Sequence, residues 1–449
     1  MLSFIWPGFG QLYQRDRRKA VLFALPPALL LAVLAFLVIR SPQGFALRLF
    51  VPTFALGILV AIGIDALWRV AAILDSWRSS RTRPVRKDVT APIAFGLSVA
   101  VLLVHGVAAF YVQSVTAAGV QIFQNPGRAE QSPLGSLDEW TGNVPGATAT
   151  PGPSLPVIGG TPGAGPSPLP QGPINVLFVG VDSGFGRDHA LTDSIMLTSF
   201  NPSSGRLIQI SVPRDTGRMP LYTGTIYEAR INTFAAYVQR NPERFPGESP
   251  IAALSHEVGY VLGVDIPYYA MVNLEGFIEL IDLVGGVDVV VEQPINDPFW
   301  KLEMQPGRHH LNAEQALVFV RSRFGQGNSD YERARRQQQV LLAVAKKVRD
   351  PLVMTRLPEI ASKVSRLIRT NVPLTDLEAL IDMTERVTDA QPEKYVLSPP
   401  HYSQRIPPSE TGGRWMTEFK LNNVAELSIQ LFGDRSRYST EGLPPAASP

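Results

Sequence analysis

The sequence predicts an α/β sandwich, in which helices cover both faces of a central sheet, preceded by three transmembrane helices. Two observations support this fold class. Three long apolar runs with few charges lie within the first 120 of the 449 residues. From residue 174 onward, short apolar strands alternate with helical patterns, which is typical of a sheet buried on both faces.

The composition excludes several classes of protein. The chain has no Cys, so disulfides, Cys-ligated metals and Cys nucleophiles are ruled out. Its 41 basic and 39 acidic residues give a formal net charge of +2, which argues against a strongly basic nucleic-acid-binding protein. The first 120 residues hold 12 basic and 4 acidic residues, so the remainder of the chain is mildly acidic.

The three apolar runs cover about residues 20–39, 49–72 and 91–113. Each is long enough for a helix that crosses a bilayer, which needs about 20 apolar residues. The alternative is a buried hydrophobic domain, and a cleavable signal peptide is disfavoured because the first run is too long. Asp65, in the second run, is expected to lie near the membrane interface or to pair with Arg69.

The charges that flank these runs predict their orientation. Four basic residues precede the first run and five lie between the second and third, whereas the loop between the first and second has two. Positively charged loops stay in the cytoplasm. We therefore expect a multi-pass cell-membrane protein with a cytoplasmic N-terminus and an extracytoplasmic C-terminal domain.

Composition divides the chain into four parts. The membrane region (1–120) is followed by a linker (121–173), because residues 141–173 hold 9 Pro and 8 Gly and cannot form a core. A folded domain follows at 174–400, and a C-terminal extension and tail occupies 401–449.

The folded domain shows strand and helix patterns in alternation. Short runs rich in β-branched residues predict strands at 174–181, 194–200, 206–212, 287–291 and 316–321. Helical periodicity predicts helices at Pro250–Leu262, Leu274–Leu283, 331–348, 357–367 and 377–387.

Two carboxylates lie at predicted strand ends. Asp182 ends the first strand and Asp193 begins the second, and ligands of open α/β sheets bind at such edges. Paired carboxylates suit Mg²⁺ or Mn²⁺, which prefer hard oxygen ligands. The alternative is that each Asp caps a loop.

Several Arg residues are predicted to converge nearby. Arg214 follows the third strand, and Arg321 and Arg323 flank Ser322 at the end of another predicted strand, so that their side chains point to the same face. On the following helix, spacing places three residues on one face, namely Arg333, Arg336 and Gln337. Arg grips phosphate bidentately, so the cluster favours a phosphate site over the alternative of a solvated charged face.

The order of these segments resembles the LytR–CpsA–Psr family from about residue 174 to 350. The resemblance is carried by NVLFVGVDS, TDSIMLTSFNPSSGRLIQISVPRDT, ARINTFAAY, LNAEQALVFVRSR and SDYERARRQQQ. It implies a membrane-anchored, extracytoplasmic protein with a three-layer α/β/α sandwich and a central mixed sheet. It further implies transfer of a glycopolymer from a polyprenyl diphosphate carrier to peptidoglycan, with membrane lipid as a further partner and no nucleic acid.

The resemblance assigns roles to the residues already named. Asp182 and Asp193 match metal-associated positions, and the diphosphate-binding positions fall on Arg214, Arg321, Arg323, Arg333 and Gln337. Arg230 stands where the family usually has Lys, and it is also expected to bind the diphosphate. Leu191 stands where many members have Arg, and Arg187 is a candidate substitute.

The expected chemistry is phosphoryl transfer, which depends on positioning and electrostatics. Arg214, Arg321 and Arg323 would act on the diphosphate, and Asp193 is the expected base for the acceptor hydroxyl. Apolar helices around 274–284 and 341–348 are expected either to line a slot for the prenyl chain or to form ordinary core. Two other functions stay open: a polyprenyl diphosphate pyrophosphatase, and a non-catalytic lipid-binding or regulatory envelope protein.

Overall fold

The computed structural model describes residues 2–80, 87–123, 149–151, 173–182, 191–201, 203–323, 330–347, 350, 353, 359–360, 363, 368–372 and 392–442. The chain forms two compact units, each with its own core. The first comprises Met1–Gln121 with Met354–Ser362, and the second comprises Ile122–Val353 with Lys363–Pro449.

The first unit is helical. Its helices are α1 (Leu2–Ile5), α2 (Phe9–Tyr13), α3 (Arg17–Arg40), α4 (Pro42–Arg48), α5 (Pro52–Ser80) and α6 (Lys87–Phe123). Three of them, α3, α5 and α6, are long and apolar enough to cross a membrane. They correspond to the three apolar runs that the sequence marks as spans, with α5 beginning at Pro52, shortly after the start of the second run.

Polar side chains inside these apolar helices form hydrogen bonds with one another. Asp65 of α5 accepts hydrogen bonds from Arg69 Nε at 2.6 Å, and its Oδ2 lies 2.9 Å from His105 Nε2 of α6. The predicted pairing of Asp65 with Arg69 is confirmed. Because unpaired charge is costly in hydrocarbon, this triad ties α5 to α6.

The second unit contains the strands and the remaining helices. The strands are β1 (Ala149–Pro151), β2 (Ile174–Asp182), β3 (Leu191–Asn201), β4 (Arg206–Val212), β5 (Met219–Pro220), β6 (Thr225–Tyr227), β7 (Tyr268–Asn273), β8 (Val287–Val291), β9 (Ile295–Asp297), β10 (Leu302–Met304), β11 (Gly307–Leu311), β12 (Ile368–Thr370), β13 (Glu393–Val396), β14 (Ser403–Arg405) and β15 (Thr417–Phe419). The helices are α7 (Phe234–Arg240), α8 (Pro250–Leu262), α9 (Leu274–Leu283), α10 (Ala313–Arg321), α11 (Asp330–Lys347) and α12 (Leu421–Phe432).

Six strands form the central sheet in the order β12-β7-β2-β3-β4-β13. The β2/β7 and β4/β13 pairs are parallel and the other three pairs are antiparallel, so the sheet is mixed. Alternate side chains of β2 and β3, such as Leu177 and Leu197, join α7, α8 and α12 in the main core. The opposite face, which carries Phe178 and Met196, faces α9, α10 and α11. The predicted three-layer α/β/α sandwich is confirmed.

The prediction of a strand at 316–321 is wrong, because these residues belong to α10. The helix begins with a capping box: the Asn312 side chain accepts from Gln315 N at 2.9 Å, and the Gln315 side chain accepts from Asn312 N at 3.1 Å. This reciprocal pair satisfies two otherwise unbonded N–H groups of the first turn. The capping interactions therefore favour a helix here, although the β-branched residues of the run favour a strand.

The other predicted elements correspond closely to the structure. Strands β2, β3, β4 and β8 and helices α8, α9 and α11 lie where the sequence places them. Strand β8 pairs with β11 in a separate two-stranded antiparallel sheet rather than joining the central sheet. The helices predicted at 357–367 and 377–387 lie outside the described residues, apart from a few isolated positions.

The segment after residue 400 folds onto the same domain. Strands β14 and β15 form a hairpin, and Val424, Leu427 and Leu431 of α12 are buried in the main core. Thr417 N donates to Asp215 O at 3.1 Å, and Gly217 N donates to Thr417 O at 2.7 Å. The hairpin thus supports the backbone that follows Arg214.

Candidate active site

A cavity of about 480 Å³ lies between the central sheet and helices α9, α10 and α11. One part of its wall is charged and another part is apolar. The charged and polar lining residues include Asp182, Asp193, Asn273, Asp297, Arg214, Arg321, Arg323, Arg333 and Gln337. This is the size of ordinary small-molecule sites in proteins.

Asp182 reaches the cavity because it ends β2 on the face opposite the main core. Side chains alternate along a strand, so Phe178 and Asp182 share the face that lines the cavity, while Leu177 and Val179 belong to the core. The neighbouring parallel strand β7 ends at Asn273, which also lines the cavity and caps α9 through Gly276 N at 2.8 Å. The site therefore lies at the carboxyl ends of two parallel strands.

Asp193 reaches the same cavity through a β-bulge. Gly180 pairs with Ser194 and Val181 pairs with Thr192, so Asp193 is the extra residue between them. Strict alternation would place it on the core face with Ile195. A bulge bends the strand and redirects its extra side chain, which brings Asp193 into the wall of the cavity that Asp182 also lines.

Ion pairs connect Asp193 through Arg214 and Asp215 to Arg230. Arg214 Nη1 donates to Asp193 Oδ2 at 2.7 Å, and Arg214 Nε lies 3.8 Å from Asp215 Oδ2. Arg230 Nη1 lies 3.2 Å from Asp215 Oδ1. Arg230, predicted to bind diphosphate, does not line the cavity, and its contact with Asp215 supports Arg214 indirectly.

Arg321 and Arg323 both line the cavity, but not because they share one face of a strand. Arg321 ends α10, and Ser322 has left the helix with extended backbone (φ −57°, ψ 137°). Arg321 Nη2 lies 3.8 Å from Asp182 Oδ2, and its guanidinium lies 5.1 Å from the centre of the Trp300 ring. The helix end, rather than strand alternation, presents the two guanidiniums.

Helix α11 supplies two polar residues to the cavity and contacts the end of α10. Arg333 and Gln337 line the cavity. Arg336, predicted as a third ligand, instead donates from its guanidinium to Ser322 O. Burial lowers the pKa of Arg336 below its ordinary value. We therefore place Arg336 as a support for the 321–323 segment.

The resemblance leads us to expect Arg at the position of Leu191, and the structure describes that position but not its candidate substitute. Leu191 begins β3 and pairs with Asp182. Arg187, its candidate substitute, lies outside the described residues.

The two strand-end carboxylates fit a divalent cation of the Mg²⁺ type. Asp193 Oδ1 is buried and accepts no hydrogen bond within the described part of the chain. No group of three or more His, Asp or Glu side chains suited to a metal occurs among the described residues. Mg²⁺ commonly binds through one or two carboxylates together with water and substrate phosphates, so a two-carboxylate donor set is sufficient.

Asp297, Phe299 and Trp300 line the cavity and have no counterpart in the sequence predictions. Asp297 Oδ1 accepts from Phe299 N and Trp300 N, both at 3.0 Å. This turn leaves Phe299 75% exposed and Trp300 40% exposed. The Asp-Pro pair at 297–298 signals a turn, but nothing local in the sequence places that turn at the cavity.

The apolar part of the wall is formed by the sheet and by three helices. Leu274, Phe277 and Leu280 of α9 face Leu341 and Val344 of α11 across the cavity. These are the two helical segments for which a prenyl slot is expected from the sequence. They do line a cavity, and we call this part the apolar slot.

Comparison with known proteins identifies relatives of the second unit. The model of the LytR_cpsA_psr family matches residues 161–397. Biofilm regulatory protein A of Streptococcus mutans serotype c is 30% identical over 217 residues, which cover 45% of this chain and 51% of that protein. The polyisoprenyl-teichoic acid–peptidoglycan teichoic acid transferase TagU of Bacillus anthracis is 32% identical over 224 residues, which cover 48% and 65%. The chain thus spans between half and two thirds of these relatives.

Solved structures include similar chains. The crystal structure of B. subtilis TagV matches with a TM-score of 0.46 and 23% identity, and the match covers 58% of this chain and 96% of that one. The structure of TagT bound to LIIa-WTA matches with a TM-score of 0.43 and 20% identity over 58% and 89%. Because the family model covers more than half of the sequence, the chain belongs to the LytR_cpsA_psr family.

Proposed function

We propose that this protein transfers a glycopolymer, as a phosphoglycan, from a polyprenyl diphosphate carrier to a hydroxyl of peptidoglycan. One observation carries the proposal: a single cavity joins four guanidiniums and two strand-end carboxylates to an apolar slot. A diphosphate with a long hydrocarbon chain has the same division between charge and apolar surface.

The charged end suits the diphosphate. Arg214, Arg321, Arg323 and Arg333 all line the cavity, and guanidiniums bind phosphate oxygens in a bidentate manner. Arg333 is only 7% exposed, so its interaction with an anion is weakly screened by water. Four such groups in one wall exceed what solubility requires of a mildly acidic domain.

The apolar slot suits the first isoprene units of the carrier. Its walls come from α9 and α11, and burial of hydrocarbon contributes about 25 cal/mol per Å². The chain would then be held by the slot while the diphosphate lies against the Arg residues. This arrangement fixes the position of the reacting phosphorus, which is the main requirement of phosphoryl transfer.

During the reaction, negative charge develops on the phosphate that leaves, which lies against the Arg residues. The acceptor hydroxyl loses its proton and its oxygen bonds to the phosphorus that carries the sugar. The bond from that phosphorus to the bridging oxygen breaks, which leaves polyprenyl phosphate. Arg321 and Arg323 would neutralise the charge that develops on the departing phosphate.

We include Mg²⁺ or Mn²⁺ in the proposal, held by Asp182 and Asp193. When bound, such an ion would neutralise phosphate oxygens and polarise the phosphorus toward attack. Arg214 holds Asp193 Oδ2 in place, so the chain's own contribution is to keep that carboxylate oriented.

The relatives support transfer as the reaction class, because TagU is named as a transferase of teichoic acid to peptidoglycan. We propose that the second unit works on the extracytoplasmic side of a cell membrane, anchored by α3, α5 and α6. The basic residues that flank these helices support that orientation.

The test uses the full chain in lipid vesicles with a tagged glycan on a prenyl diphosphate, together with peptidoglycan. We expect the tag to become covalently attached to peptidoglycan, with release of prenyl phosphate. Release of free phosphorylated glycan without attachment would identify a pyrophosphatase instead. Intact lipid that stays bound would identify a non-catalytic binding protein.

A further inference from the structure

Asp297 is a third carboxylate in the wall of the cavity, and none of the segments quoted above for the family resemblance contains it. It ends β9 and is 1% exposed. It is also one of the residues that line the cavity. A carboxylate buried to this degree needs a partner for each oxygen.

The two oxygens of Asp297 differ in what they contact. Oδ1 accepts two backbone hydrogen bonds, from Phe299 N and Trp300 N. Oδ2 is buried and has no hydrogen-bond partner within the described part of the chain. The turn therefore fixes the carboxylate rigidly and leaves one oxygen available to a ligand.

The other two carboxylates of the cavity are engaged by Arg residues. Asp193 Oδ2 accepts from Arg214 at 2.7 Å, and Asp182 Oδ2 lies 3.8 Å from Arg321. By contrast, no Arg or Lys nitrogen lies within ion-pair distance of Asp297 among the described contacts. Asp297 interacts with Arg336 only through longer-range charge attraction. Among the three, Asp297 is thus the carboxylate with the most freedom to accept a proton from a substrate.

The turn of Asp297 also places it beside the phosphate-binding residues. Trp300 lies two residues beyond the proline of this turn, and its ring lies 5.1 Å from the Arg321 guanidinium. Arg321 in turn lies 3.8 Å from Asp182. Asp297 therefore belongs to the same wall as the group that would hold the diphosphate.

From this geometry we infer that Asp297 is the general base for the acceptor, a role that rests on the proposed function. Asp297 Oδ2 accepts the proton of the sugar hydroxyl as the hydroxyl oxygen bonds to phosphorus. The phosphorus–oxygen bond to prenyl phosphate breaks in the same step, and the proton later leaves Asp297 for solvent. Asp193 then serves only in orienting the diphosphate side of the site.

Burial of Asp297 bears on the choice of acceptor. A base that is 1% exposed is shielded from bulk water, and exclusion of water suppresses hydrolysis as a side reaction. The burial of Asp297 is therefore consistent with a site from which bulk water is excluded, as transfer to a sugar hydroxyl requires.

The decisive variant is Asp297→Asn. The Asn side-chain oxygen still accepts from Phe299 N and Trp300 N, so the turn is kept while the basic oxygen is lost. We expect transfer of the tagged glycan to peptidoglycan to fall by about 100-fold or more, the usual contribution of a general base. Binding of geranylgeranyl diphosphate is expected to stay within about twofold of wild type, because the Arg residues are unchanged.

Matched controls separate a catalytic from a structural role. Asp288→Asn makes the same chemical change on the exposed face of β8, where Asp288 contacts His310 and Lys347, and is expected to transfer normally. If Asp297 only braced the turn, Asp297→Asn would retain full transfer. If it only balanced the charge of Arg336, Asp297→Asn would lower the melting temperature and weaken diphosphate binding.

The outcomes also distinguish this role from the proposed function. Normal transfer by Asp297→Asn, in an assay where wild type transfers, overturns the role of Asp297 alone. Failure of wild type itself to transfer overturns the proposed function, and the role of Asp297 with it. Loss of transfer with retained binding and melting temperature supports both.

Discussion

Arg321 is a central residue of the proposed phosphate site. It ends α10, lies 3.8 Å from Asp182 Oδ2 and packs against Trp300. Its side chain is 27% exposed, so its removal leaves no large void in the core. A substitution of Arg321 therefore tests function with less effect on folding than a substitution of a buried core residue has.

We expect Arg321→Ala to lower transfer by about 100-fold to 1,000-fold, as loss of one preorganised charge-stabilising donor does in other enzymes. The melting temperature should change little. Arg335→Ala is the matched control, because Arg335 is exposed on α11 and pairs with Glu332. Equal transfer by Arg321→Ala and Arg335→Ala would contradict the phosphate assignment.

Glu257 is a buried ionisable residue far from this chemistry. It is 0% exposed, and burial raises its pKa to about 8, against the opposing effects of the Tyr222 N–H and Arg437. The folded state therefore holds a proton that the unfolded chain releases above its ordinary pKa of 4.5. Stability should fall as the pH rises from about 4.5 to about 8.

Glu257→Gln removes this titration. We expect the variant to be more stable than wild type at pH 8, by roughly 1–3 kcal/mol, and nearly equal to it at pH 5. Urea unfolding at the two pH values measures the difference. Glu426→Gln, on the exposed face of α12, is the control, and a pH-independent difference for Glu257→Gln would contradict the expectation.

At the scale of elements, α10 shows where sequence patterns reach their limit. Residues 316–321 combine Val and Phe in a way that favours a strand, yet Asn312 and Gln315 start a helix. The capping signal is present in the sequence and indicates a helix at this position. The bulge at Asp193 is different, because it depends on the register between β2 and β3, which no local pattern encodes.

Regular elements were predictable for a physical reason. Strand β4 and helices α8 and α9 combine strong periodicity with clear ends, such as the Ser249 cap of α8 and the left-handed Gly263 that follows it. Asp297 was not predictable, because its importance comes from a cavity formed by distant elements. The Arg residues were predictable from their positions at the ends of predicted elements and on one helix face, and the resemblance to a family added the long-range information that they form one site.

The capping box of α10 gives a prediction at this scale. Asn312→Ala should lower stability by about 1 kcal/mol and also reduce transfer, because α10 presents Arg321 at its far end. Thermal melting and the transfer assay measure the two effects. Asn422→Ala, at an exposed position of α12, is the control. Unchanged transfer would show that the end of α10 is held by Arg336 and Ser322 alone.

At the scale of the whole molecule, the low overall charge conceals an uneven distribution. The first unit holds long apolar helices with basic flanks, and the second unit gathers Arg residues at one cavity of a mildly acidic domain. The extension after residue 400 packs into the same core, so the folded domain reaches beyond the family match at 161–397.

The proposed orientation can be tested because the chain contains no Cys. Ser204→Cys lies at an exposed position of the second unit, and Tyr13→Cys replaces a 72% exposed side chain near the first apolar helix. In intact cells, a membrane-impermeant maleimide should label the first variant but not the second. Labelling of Tyr13→Cys before permeabilisation would contradict a cytoplasmic N-terminus, and the wild-type chain gives the background.

The most direct test of the central claim is a crystal structure of the protein with geranylgeranyl diphosphate. We expect the diphosphate to contact Arg321, Arg323 and Arg333, and the prenyl chain to lie in the apolar slot between α9 and α11. A diphosphate bound elsewhere, or a prenyl chain outside the slot, would contradict the claim that one cavity holds both ends of the lipid carrier.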